Sequence, residues 1–157
     1  MDTKLKIVKI LERESKGIHL RAISRLVKSG LPNIKRFLEI LEKEKVVCKI
    51  KEANLIKFKL KEGQKTIAYL KQVNTEKLLE LPLNIRNAIN DFILELEIKP
   101  LIILLFGSYA KGNYTKDSDI DVLLIFQKLE SGKDIENNAK RISMRTNTKI
   151  SPIYVEY

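Results

Sequence analysis

Two apolar runs, Pro100-Leu101-Ile102-Ile103-Leu104-Leu105-Phe106 and Val122-Leu123-Leu124-Ile125-Phe126, bracket a polar stretch in the last third of the chain. That stretch opens on Gly107-Ser108 and closes on Asp119-Ile120-Asp121. The first run is too apolar to have a wet face, which predicts a buried strand. The second predicts another strand, with Asp119 and Asp121 at its start. Residues two apart on a strand point to the same face, so these two carboxylates should sit side by side. A chain built this way must fold around a small sheet and place a paired negative charge where one strand begins.

The whole stretch, FGSYAKGNYTKDSDIDVLLIF, resembles the nucleotidyltransferase superfamily of DNA polymerase β, specifically its minimal prokaryotic members. The resemblance rests on an apolar strand, Gly-Ser, a Lys-Gly turn and Asp-x-Asp before a second apolar strand. It implies a mixed α/β domain that binds a nucleoside triphosphate with Mg²⁺ or Mn²⁺. Gly107 and Ser108 would then hold the triphosphate: glycine lets the backbone approach closely, and amides where a strand hands over to a helix attract phosphate oxygens. Asp119 and Asp121 would be the catalytic metal ligands, since Mg²⁺ takes carboxylate oxygens and shares them with substrate phosphates. Lys111 stands where many relatives carry a basic residue near the triphosphate. Each element alone reads as an ordinary turn or helix start; the spacing between two strands favours a site.

Active relatives add a third carboxylate from a later strand. Here that strand is expected over 149–155, after a helix over 134–145, and the matching position is Ser151. Glu156 is an acid of possible relevance but lies five residues out of register. Either Glu156 or a partner supplies the third ligand, or catalysis is weak, or the domain only binds nucleotide. The sequence stops after this strand, so the nucleobase pocket is expected to be shallow or completed by another subunit.

Charge divides the chain. Residues 1–61 carry 17 Lys+Arg against 7 Asp+Glu, a net of +10, which is the formal charge of the entire protein. Such asymmetry suggests two modules, one facing a polyanion, although a lysine-rich solvated surface is the simpler alternative. Leu5, Val8 and Leu11 mark a first amphipathic helix, closed at Ser15-Lys16-Gly17. Ile23, Leu26 and Val27 mark a second over 20–28. Pro32 suits the first turn of a third, with Ile34, Phe37, Leu38 and Leu41 inward. From Val46 the pattern alternates, predicting two strands joined at Glu52-Ala53-Asn54. Three helices and a basic hairpin are the order of a winged helix-turn-helix, which this region resembles in element order and charge placement. The resemblance implies DNA binding, with Asn33, Lys35 and Arg36 presented to a major groove. Lys49, Lys51, Lys57 and Lys59 would point outward along the hairpin to meet phosphates. Small winged domains also serve in protein binding and dimerisation.

The expected fold class is α+β: a winged helix over 1–61, a helical connector over 62–98 and a mixed-sheet nucleotidyltransferase-like domain over 99–157. Leu81-Pro82-Leu83 should split the connector into two helices. His19 reads as a surface residue, and Cys48, the sole cysteine, as a small buried hydrophobe that excludes an internal disulfide. The longest apolar run, Leu101 to Phe106, has six residues, far below the ~20 of a membrane span. A cytoplasmic protein with no membrane contact is expected, and a homodimer by analogy with helix-turn-helix regulators on paired half-sites. Two functions remain open from sequence. One is Mg²⁺-dependent transfer of a nucleoside monophosphate to a hydroxyl, with a partner protein such as a toxin as acceptor. The other is a transcriptional regulator whose transferase-like domain senses nucleotide.

Overall fold

A computed structural model describes residues 1–157 throughout. The chain forms two compact units, Met1–Lys77 and Leu78–Tyr157, each with its own core. Seven helices and six strands divide between them, and no helix is long and apolar enough to cross a membrane.

The first unit runs α1 (Thr3–Arg13), β1 (Ile18–His19), α2 (Leu20–Val27), α3 (Leu31–Lys43), β2 (Val47–Glu52) and β3 (Leu55–Leu60), followed by α4 (Gln64–Leu79). The sequence-predicted helices and hairpin fall within a residue or two of these bounds. The apolar stripes meet in one core, where Ile7, Val8, Leu11, Ile23, Ile34, Leu38 and Leu41 are almost fully buried; Leu26, expected inward, is instead exposed. Each such side chain contributes ~1.5–3 kcal/mol of apolar transfer. Helix α2 stops at Lys28, which takes the left-handed conformation at φ 58°, and Pro32 sits in the first turn of α3. The strands form an antiparallel sheet of order β1-β3-β2. Strand β1, two residues long, has no sequence signal of its own; His19 is partly exposed, with its Nδ1 3.0 Å from the Ile56 carbonyl oxygen.

The stretch 62–98, expected as a connector, is shared out. Helix α4 joins the first core through fully buried Val73. Its Tyr69 hydroxyl donates to Glu44 Oε2 at 2.6 Å, while Lys4 Nζ donates to Glu44 Oε1 at 3.0 Å. Helix α5 (Leu83–Leu94) begins after Pro82, as the proline signal requires, and its Ile85, Ala88, Ile89 and Phe92 belong to the second core.

The second unit continues with β4 (Ile102–Phe106), α6 (Gly107–Lys111), β5 (Ile120–Phe126), α7 (Lys133–Thr146) and β6 (Ile150–Glu156). Its sheet has the order β4-β5-β6, with β4 antiparallel and β6 parallel to β5. Ile120, Val122, Leu124 and Phe126 alternate along β5 into the core shared with α5 and α7. Buried Asn138 of α7 donates to the Phe92 carbonyl at 2.9 Å, locking the two helices together. Against expectation, β4 is not buried. It is an edge strand, and Ile102, Leu104 and Phe106 are 48%, 48% and 37% exposed. Its alternate residues pair with Ile125, Leu123 and Asp121, on the sheet face opposite the helices. Only Leu105 packs against the core. Apolar composition gave the strand but not its place in the sheet, which depends on pairing with residues fifteen or more positions away.

Candidate nucleotide site

The site lies where β4 ends and β5 begins. Phe106 pairs with Asp121, so the chain leaves β4 beside the second carboxylate and turns at once into α6. Gly107 makes that turn at φ 69°, a conformation that costs other residues ~1–2 kcal/mol. A Cβ at Gly107 would overlap Asp121 Oδ2 and come within 2.9 Å of its Cγ. Glycine is therefore required twice, for the backbone conformation and for the space the carboxylate fills. Ser108 is the second residue of the single-turn helix α6, and its carbonyl accepts from the amides of Gly112 and Asn113. Lys111 ends α6 with an exposed side chain. Tyr109 and Tyr114 stack at 4.5 Å between centroids, which pins the loop returning from α6 to Asp119.

Strand β6 completes the arrangement. Ile120 pairs with Ile150 and Asp121 with Ser151, so Lys149 and Ser151 flank the same end of β5 as the two carboxylates. Both reach Asp119: Lys149 Nζ lies 2.5 Å and Ser151 Oγ 3.2 Å from Asp119 Oδ2. These contacts, the lysine's first, hold the Asp119 carboxyl below the usual carboxylate range, against the opposing effect of partial burial. Asp119 Oδ1 and both oxygens of Asp121 accept no hydrogen bond from the chain. These oxygens reach solvent and are open to a cation that brings its own waters or phosphates. Two carboxylates and a hydroxyl suit Mg²⁺ or Mn²⁺, hard ions that keep several non-protein ligands. No group of three or more His, Cys, Asp or Glu side chains assembles anywhere in the chain.

Ser151, the position matched to the third carboxylate, pairs with Asp121, whereas Glu156 lies too far away to be a third ligand. It pairs with Phe126 at the far end of β6, five positions and ~16 Å from Ser151 at ~3.3 Å per residue. An odd separation also turns it to the other face, and it accepts from the Leu129 amide at 3.3 Å. Lys149 is the functional candidate that sequence reasoning missed. Its signal was present: it stands two residues before Ser151, the spacing that already paired Asp119 with Asp121.

The basic residues of the first unit are arranged differently from expectation. Lys35 and Arg36 are exposed in the first turns of α3. Asn33 is engaged locally, donating to Ser29 Oγ at 2.9 Å and accepting from Arg36 at 3.4 Å. The four hairpin lysines do not share a face. Lys49 and Lys51 lie opposite Phe58 and Ile56, on the core side of the sheet, where Lys49 pairs with Glu42 of α3 at 2.7 Å. Lys57 and Lys59 lie opposite Ile50 and Cys48 on the outer side, and Lys57 pairs with Glu52. Alternation within each strand was read correctly; the register that sets one strand's odd residues against the other's even ones was not. Cys48 is only half-buried for the same reason.

Comparison with known proteins agrees on the second unit. A protein of Methanocaldococcus jannaschii provisionally named protein adenylyltransferase MJ0141 is 41% identical over 54 residues, 32% of this chain and 54% of that protein. Another from the same organism, provisionally named protein adenylyltransferase MJ0604, is 65% identical over 23 residues, 15% of this chain and 23% of that one. The chain spans about half the length of the first relative and less of the second. No solved structure matches the chain significantly. Residues 86–152, which hold every residue of the site from Gly107 to Ser151, match the family described as the nucleotidyltransferase domain.

Proposed function

We propose that the second unit transfers a nucleoside monophosphate from a nucleoside triphosphate to a hydroxyl acceptor on a protein. The observation that carries this reading is the Asp119–Asp121 pair, with Asp121 packed against Gly107, inside a segment that matches the nucleotidyltransferase domain. Asp119 and Asp121 would hold Mg²⁺, which when bound offsets negative charge on the phosphates and on the attacking oxygen. Gly107 and Ser108 give the triphosphate a close approach to the turn out of β4, and exposed Lys111 lies one turn further along α6. The acceptor oxygen bonds to the α-phosphorus, the bond to the bridging oxygen breaks, and pyrophosphate leaves. The acceptor proton passes to a carboxylate or to solvent. A protein hydroxyl is favoured because the provisional names of both relatives specify protein adenylylation, which also makes ATP the first triphosphate to try.

We read the first unit as a winged helix-turn-helix that binds DNA, with Lys35, Arg36 and one face of the hairpin against phosphates. A homodimer on paired half-sites fits that reading, as does a toxin partner serving as acceptor. Ser151 opposite Asp121 favours a second reading, in which the domain binds nucleotide and regulates DNA binding without turnover.

One experiment separates the two. The protein is incubated with each α-labelled triphosphate and Mg²⁺, alone and with lysate, beside an Asp119→Asn/Asp121→Asn control. Label on a protein band that is lost in the control establishes transfer and names base and acceptor. Absence of transfer alongside Mg²⁺-dependent nucleotide binding leaves the regulator; absence of both removes the site.

A further inference from the structure

The end of β6 brings a cation to the carboxylates where the expected third carboxylate is missing. Lys149 Nζ and Ser151 Oγ converge on a single oxygen, Asp119 Oδ2, at 2.5 and 3.2 Å. The other oxygen of Asp119 and the whole Asp121 carboxylate face no protein donor. Lys149 is 70% exposed on its side chain, whereas Asp119 is 33% exposed. The ammonium therefore reaches in from solvent to a fixed carboxylate; it is not a buried structural pair.

Charge counting gives this geometry a meaning. Three carboxylates carry −3, a field that suits two divalent cations shared with a triphosphate. With Ser151 the protein supplies −2, and Lys149 brings the cluster to −1. A second divalent ion would have to share Asp119 with an ammonium already in contact with it, and like charges within ~4 Å repel even at the effective dielectric of about 20 near a protein surface. Asp121 and the free oxygen of Asp119 are left to hold one divalent ion, with the triphosphate supplying the rest of the negative charge.

We propose that Lys149 is a built-in cation that takes the place of a second divalent ion on Asp119, so that the site binds its nucleotide with a single metal. The proposal rests on the reading of Asp119 and Asp121 as metal ligands. It assigns Lys149 an electrostatic role: the ammonium occupies one oxygen of Asp119, where a second ion would otherwise bind, and leaves the other oxygen free.

The test counts Mn²⁺ by electron paramagnetic resonance on the full chain, with and without the non-transferable analogue α,β-methylene-ATP. Wild type should hold one Mn²⁺ per protein–nucleotide complex. Lys149→Gln should bind Mn²⁺ without nucleotide at least about fivefold more tightly, since a unit charge at contact distance has been removed. Lys149→Arg, which keeps the charge, should restore the wild-type affinity; a merely structural role would not separate these two substitutions in this way. Two Mn²⁺ in the wild-type complex, or unchanged affinity in Lys149→Gln, overturns the proposal while leaving the nucleotide site in place. Failure of wild type and Lys149→Gln alike to bind either Mn²⁺ or the analogue overturns the site itself.

Discussion

The Asp121 carboxylate occupies the space where a side chain on Gly107 would begin: a Cβ there would overlap Oδ2 and lie 2.9 Å from Cγ. The glycine of the Gly-Ser pair and the second acid of Asp-x-Asp are thus one steric unit, although they stand fourteen positions apart. Gly107→Ala should do two things at once. The left-handed backbone should cost about 1–2 kcal/mol of stability, and the displaced Asp121 should abolish metal-dependent nucleotide binding. Thermal melting with nucleotide titration in Mg²⁺ checks both. A variant that melts lower but binds nucleotide as well as wild type would mean that the contact serves the turn only.

Asp121 itself has no hydrogen-bonding partner in the chain, so removing its charge should leave the fold alone. Asp121→Asn is expected to melt within about 0.5 kcal/mol of wild type, the range of substitutions that break no internal contact. It should lose Mg²⁺-dependent nucleotide binding. Unchanged binding would show that the metal, or the nucleotide, sits elsewhere.

Glu44 offers a stability probe remote from the site. The Tyr69 hydroxyl, and then the Lys4 ammonium, hold its carboxyl below the ordinary carboxylate range. A lowered folded-state value means that the contribution is present above the unfolded value of ~4.3 and is lost as pH falls through the folded one. Glu44→Gln should therefore melt below wild type at pH 6–8, by about 1 kcal/mol, in the range of a partly exposed ion pair and an ordinary hydrogen bond. The difference should shrink as pH falls below the unfolded value and through the folded one. A gap that does not shrink with falling pH would place the effect in packing of Tyr69, not in charge.

Most elements were legible because local signals decide them: glycine and proline at turns, period 3.6 in the helices, period 2 in the hairpin. The site was legible for the same reason, since Gly107-Ser108 and Asp119-Ile120-Asp121 are each contiguous. What escaped depends on pairing between distant segments. Register put Lys49 and Lys57 on opposite faces, brought Lys149 to Asp119 and left β4 at the edge of its sheet. The membership of α4 and α5 in different cores is likewise a matter of which stripe finds which partner.

The split of the hairpin lysines sharpens the DNA reading into a prediction. A hairpin lays one face against a duplex, so Lys49 and Lys51 cannot contribute equally with Lys57 and Lys59. Each phosphate contact adds ~0.9 to the slope of log K against log salt. Lys35→Gln/Arg36→Gln should lower that slope by about 1.8, because both side chains are exposed at the start of α3. Of the doubles Lys49→Gln/Lys51→Gln and Lys57→Gln/Lys59→Gln, one should lower it by a similar amount and the other should leave it near wild type. Equal effects from both would contradict the register, and a flat salt dependence of the wild type would remove DNA as the partner of the first unit.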